Sequence, residues 1–213
     1  MSDTHDQRPV LYHCPQTRSG SALWMNEELG APARIELVDI KAGATRESDF
    51  LKINPMGKLP ALTHAGATIT ESAAICAYLA DAFPQAELAP APDDPRRGTY
   101  LRWMFFAPSC IEPAMLDTFE QKVRENRGSV GHGVPSDVLA AIDDALSNGP
   151  YLLGDTFSAA DVVFGGTLNF ALMFGAFEKK PLYTDYVDRL MTRPAALRCN
   201  DLNTGYMELL GWS

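Results

Sequence analysis

The chain lacks long apolar runs and clusters of basic residues. In its 213 residues no stretch approaches the ~20 consecutive apolar residues that a membrane-spanning helix needs. Its 18 lysine and arginine residues are scattered along the chain against 27 aspartate and glutamate residues, which leaves a formal net charge of −9. We therefore expect no nucleic acid and no membrane among its partners. The polar N-terminus, Met1 to Arg8, has no apolar segment typical of a signal peptide, so we expect no export.

Cysteine is also scarce and carries no metal-binding pattern. The four cysteines are far apart and form neither a C-x-x-C pair nor a Cys/His zinc spacing: Cys14, Cys76, Cys110 and Cys199. We expect reduced thiols in a cytoplasmic protein and no metal site. With 46% apolar and 21% charged residues, the chain is globular and long enough for one large or two ordinary domains.

The N-terminal third alternates between strand and helix patterns. Residues 10–13 are apolar and predict a first strand, which ends in the turn-forming residues 14–20. Residues 21–30 predict an amphipathic helix with Glu27 and Glu28 on its outer side and a glycine at its end. The next two elements are a strand over 35–39 and a short helix over 45–53.

A hairpin and a further helix complete this third. Ala61 to Thr63 and Ala67 to Thr70 flank the turn residues His64-Ala65-Gly66. Residues 72–83 carry apolar side chains on one helical face. The predicted order of elements is therefore βαβαββα.

A proline-rich segment separates this region from a wholly helical one. Residues 84–95 hold four prolines and show no apolar periodicity, as a linker does. The predicted domains are residues 1–83, a linker over 84–95, and an all-α domain over 96–213. Within the last, helices are predicted over 96–126, with a kink at Pro108 and Pro113, and over 136–147, 158–174 and 182–192.

One motif of the helical region is explained by folding. Ser158 and Asp161 have the spacing of a capping box, and Phe157 just before them can act as a hydrophobic staple. A catalytic Ser–Asp pair is the sharper interpretation of the same spacing. We prefer the cap, because capping alone accounts for it.

The segment from Asn54 to Leu62 has the features of a peptide-binding edge. Pro60 stands at the head of an apolar run, where it favours a strand start or a turn that exposes the Leu59 backbone. An extended peptide can pair with that backbone as another strand would. Glu71-Ser72 then opens a helix, whose N–H groups and dipole attract a carboxylate.

In their order along the chain these motifs resemble the cytosolic glutathione transferases of bacterial type. The resemblance rests on Asn-Pro-x-Gly-Lys-Leu-Pro-Ala-Leu, Glu-Ser before a helix, the proline-rich linker and Phe-Ser-x-Ala-Asp, and it spans essentially the whole chain. It implies a thioredoxin-like N-terminal domain, a helical C-terminal domain, and a homodimer. It also implies a cytoplasmic detoxification enzyme that uses glutathione as co-substrate and needs no metal.

The resemblance assigns roles to the residues of the peptide edge. It implies that Pro60 is cis and that the Leu59 backbone pairs with the cysteinyl part of glutathione. Glu71 and Ser72 would hold the γ-glutamyl amino and carboxylate groups. Lys58, with Lys41 as an alternative, could meet the glycyl carboxylate.

The chemistry requires a group that stabilises the glutathione thiolate. An unperturbed thiol has a pKa of about 8.5, so a hydroxyl or N–H donor, helped by a cation, must favour the ionised form. The available groups are Thr17, Arg18 and Ser19. We prefer Thr17 or Ser19 as the hydroxyl donor with Arg18 assisting; Tyr12 is a weaker alternative.

The expected reaction is attack of the thiolate on small hydrophobic electrophiles. Their site is expected between the domains, with an apolar wall that includes Tyr100, Trp103 and Phe106. One alternative is a glutathione-dependent thiol-disulfide reductase or thiol transferase using Cys14, since Cys-Pro-x-Thr also resembles such sites. The other is a non-catalytic interaction protein of the same fold.

Overall fold

The structure, a computed structural model, describes residues 8–212 and divides them into two compact units. One unit comprises residues 8–86 and 193–212, and the other comprises residues 87–192. The chain passes from the first unit to the second after Ala86 and returns to the first at Arg193.

The first unit is built on a four-stranded mixed sheet with the strand order β2-β1-β3-β4. Strands β1 and β2 are parallel, whereas β1–β3 and β3–β4 are antiparallel. The elements are β1 (Val10–His13), α1 (Ser19–Glu28), β2 (Arg34–Leu37), α2 (Ser48–Ile53), β3 (Ala61–His64), β4 (Ala67–Thr70), α3 (Ser72–Ala82) and α9 (Pro194–Leu209). Up to α3 this is the predicted βαβαββα order.

The strand register brings three chain segments to one end of the sheet. Tyr12 pairs with Ala61, and Ala61 pairs with Thr70. The end of β1, the start of β3 and the end of β4 therefore lie side by side. Continuing the same register places Pro60 beside His13, and Glu71 on the other side of Pro60. The loops that leave this end of the sheet are the ones to which the sequence assigns a function.

Helix α9 packs against α1 and closes the first unit. The guanidinium of Arg193 donates to both oxygens of Glu28, at 2.7 and 2.8 Å, and Arg198 Nε donates to Glu27 Oε2 at 3.1 Å. The prediction that Glu27 lies on the outer side of α1 is wrong, because its residue is only 7% exposed. Residues 193–212, predicted within the helical domain, join the first unit because these ion pairs tie α9 to α1.

The second unit is helical. Its elements are α4 (Arg97–Phe106), α5 (Glu112–Phe119), α6 (Pro135–Leu146), α7 (Ala159–Met173) and α8 (Pro181–Met191). Residues Ala107–Ile111 form a π-helical turn between α4 and α5, at the predicted proline kink.

The capping motif anchors the core of the second unit. The Asp161 carboxylate accepts hydrogen bonds from the N–H groups of Ser158 and Leu152, both at 2.9 Å, and from the Tyr186 hydroxyl at 3.0 Å. Burial raises the pKa of Asp161, and these bonds oppose that rise. Asp161 is completely buried, so the motif serves folding.

The predicted fold class is confirmed: a thioredoxin-like α/β sheet domain with a helical second region. Among the residues that the structure describes, no helix combines the length and the apolarity needed to cross a membrane.

Candidate functional site

Two of the segments at the shared end of the sheet are joined directly. The hydroxyl of Ser72, at the start of α3, donates to the carbonyl of Arg18 at 3.1 Å. This bond links the loop after β1, which we call the thiol loop (Cys14–Ser19), to the N-terminus of α3. Because Pro60 lies between them in the sheet register, the loop, the proline and the Glu71-Ser72 pair lie side by side.

The turn before Pro60 is held by Asn54. This side chain is 4% exposed; its Nδ2 donates to the Lys58 carbonyl at 2.8 Å and its Oδ1 accepts from the Met56 N–H at 3.0 Å. Gly57 adopts φ +61°, and a Cβ there would lie 2.8 Å from the Thr45 carbonyl oxygen. A glycine is thus required by both its conformation and the close backbone approach.

Beyond this turn the backbone is presented for pairing. The Leu59–Pro60 peptide bond is cis. The described residues provide no hydrogen-bond partner for the N–H or C=O of Leu59, which lies two residues before the first residue of β3. Lys58 is exposed and Leu59 partly exposed, whereas Pro60 is buried. An extended peptide laid along this edge meets the unpaired groups of Leu59.

Glu71 has an unusual backbone conformation for a residue with a side chain. Its φ is +69° and its ψ is +123°, and it immediately precedes the first residue of α3. Such outliers persist where the surrounding structure imposes them, and they concentrate at functional sites. The exposed Glu71 carboxylate therefore stands at the end of α3 where the N–H groups of the first turn have no partner within the helix.

The hydroxyl groups of the thiol loop are engaged within the protein. Thr17 Oγ1 lies 2.7 Å from the Cys14 carbonyl and 2.6 Å from Ser19 Oγ. Ser19 Oγ also lies 2.8 Å from His13 Nδ1 and accepts the Cys14 N–H at 3.1 Å. Ser19 is completely buried, while Thr17 retains exposed surface.

The same network continues to α9 through His13. His13 Nε2 lies 3.0 Å from Asn203 Oδ1, and the imidazole is completely buried. Burial lowers the pKa of His13 to about 4, against a smaller opposing contribution from the Asn203 hydrogen bond. The chain of polar contacts therefore runs from Asn203 through a neutral His13 to Ser19 and Thr17.

Arg18 is the exposed cation of the thiol loop. It directly precedes α1 and contributes the carbonyl that receives the Ser72 hydroxyl. Gln16, two residues earlier, is also exposed and has a φ of +58°. The loop thus turns Arg18 and Gln16 to its outer side and Ser19 to its inner side.

Cys14 lies on the inner side of the loop. Its residue is completely buried, and burial raises the pKa of its thiol. Attack on a disulfide requires an accessible thiolate. Cys14 as it stands in this fold has neither the exposure nor the ionisation of such a nucleophile.

The three aromatic residues predicted for the electrophile site lie in the second unit. Tyr100 is 0% exposed and Trp103 is 3% exposed. Phe106 keeps partial exposure and packs edge-on against Trp103, with 5.2 Å between ring centroids. Core packing therefore accounts for Tyr100 and Trp103, while Phe106 retains a surface for contact.

The polar groups that sequence reasoning did not assign are Asn54, Gln16, His13 and Asn203. The Asn-Pro-x-Gly pattern is a local turn signal that could have identified Asn54. His13 and Asn203 are 190 positions apart, so no local signal could pair them. Among residues 8–212, no group of three or more His, Cys, Asp or Glu side chains is placed to hold a metal ion.

Comparison with known proteins identifies both regions. Residues 10–81 match the family model for the glutathione S-transferase N-terminal domain, and residues 136–212 match the model for the C-terminal domain.

Individual relatives extend this match over most of the chain. Glutathione S-transferase 1 of Dianthus caryophyllus is 30% identical over 171 residues, which cover 76% of each chain. Glutathione S-transferase F14 of Arabidopsis thaliana is 25% identical and covers 90% of this chain and 82% of its own. A solved structure of a glutathione transferase homologue from Sulfitobacter with bound glutathione superposes with a TM-score of 0.73 at 25% identity, covering 92% of this chain and 98% of that one. The chain therefore belongs to the glutathione S-transferase family.

Proposed function

We propose that this protein is a glutathione transferase that binds glutathione along the Leu59 edge and activates its thiol beside Arg18 for attack on small hydrophobic electrophiles. The observation that carries the proposal is the Ser72–Arg18 hydrogen bond, at 3.1 Å. It fixes the thiol loop against the helix end at which a carboxylate binds. The Sulfitobacter homologue with glutathione bound supports the same ligand.

Glutathione is held by groups of three kinds. The Leu59 N–H and C=O pair with its cysteinyl residue as a neighbouring strand does. Glu71 meets the γ-glutamyl ammonium, and the backbone N–H groups of the first turn of α3, beginning with that of Ser72, meet the γ-glutamyl carboxylate. Lys58, which is exposed beside Leu59, meets the glycyl carboxylate.

The thiolate is stabilised by charge as well as by hydrogen bonding. Lowering a thiol pKa by two units requires roughly 2.7 kcal/mol of preferential stabilisation of the anion. Arg18 and the N-terminus of α1, the ten-residue helix that begins at Ser19, supply positive potential. Of the two hydroxyls, Thr17 is the one that can reach the sulfur, because Ser19 is completely buried; its proton must leave the Cys14 carbonyl, 2.7 Å away, to do so.

The electrophile meets an apolar surface to which Phe106 contributes. The partial exposure of this ring supports a direct contact, and Trp103 supports it from the core at a ring distance of 5.2 Å. Tyr100 lies deeper in the same core. A homodimeric, cytoplasmic enzyme is part of the proposal, and light scattering of the purified protein tests the dimer.

The proposal is tested by replacing Glu71 with glutamine. This change removes one charge while keeping the side-chain length, and Glu208→Gln makes the same change at an exposed position of α9. We expect Glu71→Gln to weaken glutathione binding roughly 10- to 100-fold in calorimetry, as a lost charge-assisted hydrogen bond does. Glu208→Gln should bind as the wild type does.

Measurements on the wild-type protein distinguish a glutathione transferase from a non-catalytic interaction protein. Saturating glutathione should bind and show thiolate absorbance near neutral pH, and a small electrophile should be turned over. Binding without turnover of a panel of electrophiles would favour a non-catalytic role. Absence of both binding and thiolate absorbance would sink the proposal.

A further inference from the structure

We propose that His13 and Asn203 are positioning residues of the thiol loop: they set the direction in which Ser19 and Thr17 donate their hydroxyl protons. This inference rests on the proposed function, since the thiol concerned is that of bound glutathione. It adds to that function two side chains that do not themselves contact glutathione. They contact each other, although they lie 190 positions apart in the sequence. Their effect passes through a line of hydrogen bonds from α9 to the loop.

The first step is the orientation of the Asn203 amide. Its Nδ2 donates to the Cys199 carbonyl at 2.9 Å, one turn earlier in α9. A carbonyl oxygen only accepts, so this bond fixes which end of the amide is the NH₂ group. Asn203 Oδ1 is then the end that faces His13, at 3.0 Å from Nε2.

The second step is the tautomer of His13. Because Asn203 Oδ1 is an acceptor, His13 Nε2 must carry the proton. In the neutral imidazole the other nitrogen, Nδ1, then has a lone pair and accepts. Complete burial of the ring, which lowers the pKa of His13 to about 4, keeps it neutral at physiological pH.

The third step is the single proton of Ser19. His13 Nδ1 lies 2.8 Å from Ser19 Oγ and can only accept from it. The Ser19 proton is thereby directed inward, and the Cys14 carbonyl, 3.0 Å away, cannot receive it at the same time.

The last step concerns Thr17. With the Ser19 proton committed to His13, the Thr17 proton points inward, to the Cys14 carbonyl at 2.7 Å or to Ser19 Oγ at 2.6 Å. If His13 Nδ1 carried a proton and donated to Ser19, Ser19 would donate to the Cys14 carbonyl, and its two lone pairs would be taken by His13 and by the Cys14 N–H. The Thr17 proton would then be free to turn toward the glutathione sulfur and lower the pKa of the thiol.

The surroundings of His13 within the first unit are otherwise of low charge. The Tyr206 ring lies 5.7 Å from the imidazole, and the pKa of Tyr206 is raised by burial. Beyond it are the Glu27–Arg198 ion pair and the Cys199 thiol, whose pKa burial raises to about 12. The Glu27 carboxylate is therefore already paired. Asp39 and Lys41 act electrostatically on Cys14 of the thiol loop, and Asp39 accepts the Lys41 and Ala42 N–H groups. Asn203, in direct contact with His13, is the position at which a new charge acts on the imidazole.

The experiment compares Asn203→Asp with Asn200→Asp in the full-length protein. Both changes replace an amide with a carboxylate of the same size in α9, but Asn200 is exposed. Asp at position 203 pairs with an imidazolium, whose Nδ1–H donates to Ser19 and releases the Ser19 proton. We expect nitrogen NMR of the glutathione-free Asn203→Asp protein to show both imidazole nitrogens of His13 protonated at neutral pH, and only Nε2 protonated in the wild type and Asn200→Asp.

The second measurement is the pH at which bound glutathione ionises, followed by thiolate absorbance. In Asn203→Asp we expect about tenfold more thiolate than in the wild type at a pH below the wild-type midpoint, which corresponds to one pKa unit. Asn200→Asp should keep the wild-type midpoint. An unchanged midpoint in Asn203→Asp that binds glutathione would overturn the positioning role.

A second pair of variants guards against failure of Asn203→Asp to fold. His13→Gln keeps one donor and one acceptor, so it should preserve the direction of the Ser19 bond and the midpoint. His13→Leu removes the acceptor, so the Ser19 proton turns to the Cys14 carbonyl; the midpoint should fall, but by less than in Asn203→Asp, because Ser19 Oγ can still accept from Thr17 at 2.6 Å. Equal midpoints in the two His13 variants would contradict the inference, whereas failure of the wild type to bind glutathione would overturn the proposed function itself.

Discussion

The thiol loop and the Leu59–Ser72 surface lie at the same end of one sheet but present their polar groups in opposite directions. In the loop, Ser19 is completely buried and its Oγ lies 2.8 Å from His13 Nδ1. On the Leu59–Ser72 surface, the Leu59 backbone has no partner among the described residues and Glu71 is exposed. The polar groups of the thiol loop form hydrogen bonds within the protein, whereas those of the Leu59–Ser72 surface are available to a ligand.

This difference separates the binding of glutathione from the activation of its thiol. In the proposed function, glutathione is held by backbone groups and an exposed carboxylate. In the same proposal, activation of the thiol depends on Arg18 and on the proton of Thr17, which, we infer, the buried network controls. Changes to the first region should therefore affect affinity, and changes to the second should affect the ionisation of the bound thiol.

The largest effect is expected from Gly57→Ala. This change would distort the turn that leads into the Leu59–Ser72 surface; the turn and that surface, residues 54–72, are the holding region. At φ +61° an alanine is strained, and its Cβ would lie 2.8 Å from the Thr45 carbonyl oxygen. We expect a loss of about 3 kcal/mol in the free energy of unfolding, measured by urea denaturation, together with weaker glutathione binding.

Gly66→Ala is the matched control for this change. Gly66 has φ +81° but open space around its Cβ position, so only the conformational cost of about 1 kcal/mol applies. Equal losses in the two variants would show that the close approach to Thr45 contributes nothing.

The next effect concerns the buried network and appears in the pH dependence of stability. Burial lowers the pKa of His13 from 6.5 to about 4. Between these values the unfolded chain binds the His13 proton and the folded protein does not, so this group makes the protein less stable as the pH falls. The full contribution of His13 to this loss of stability is roughly 3 kcal/mol.

His13→Gln should remove this pH dependence, so that the free energy of unfolding falls less between pH 6.5 and pH 4 than in the wild type. The same fall in both proteins would contradict the burial of a neutral His13.

A smaller effect is expected when the charge of the thiol loop is removed. Arg18→Ala should raise the pKa of bound glutathione by about one unit and lower kcat/KM about tenfold below that pKa, because a neighbouring cation favours the thiolate. Glutathione affinity should change less than the thiol pKa. Arg34→Ala is the control, since Arg34 is an exposed arginine of β2 paired with Glu36 at 2.6 Å. A loss of affinity without a change in the thiol pKa would place Arg18 in the holding region.

The smallest effect is expected for Cys14→Ser. Because Cys14 is completely buried, this change should leave kcat/KM with an electrophile within about twofold and lower stability by about 1 kcal/mol. Loss of activity toward a mixed disulfide, with Thr17→Ala retaining it, would instead support the thiol-reductase alternative.

The holding region could be predicted from the sequence because its determinants are local. Pro60 dictates its own backbone geometry, and the turn from Asn54 to Gly57 uses a nearby asparagine and a glycine. Glu71-Ser72 is recognisable from its position before an amphipathic helix. The strained φ of Glu71 was not predictable, because it is imposed by how β4 meets α3.

The thiol loop could be located from the sequence, but the separate roles of its residues could not be assigned. Thr17, Arg18 and Ser19 are adjacent in sequence, yet the structure turns Ser19 inward and Arg18 outward. Ser19 contacts His13 there, and His13 contacts Asn203 in α9. Helix α9 itself escaped prediction, and the exposure expected of Glu27 was wrong, because Arg198 covers it from the far end of the chain.

The sequence by itself determined the order of elements, the proline-led peptide edge, the capping motif of α7 and the family. These follow from periodicity and from residues whose backbone preferences act over a few positions. Only the tertiary structure decided which hydroxyl of the thiol loop faces inward and which proton remains available. A hydroxyl has one proton, and its direction is set by whichever acceptors the fold brings within hydrogen-bond distance.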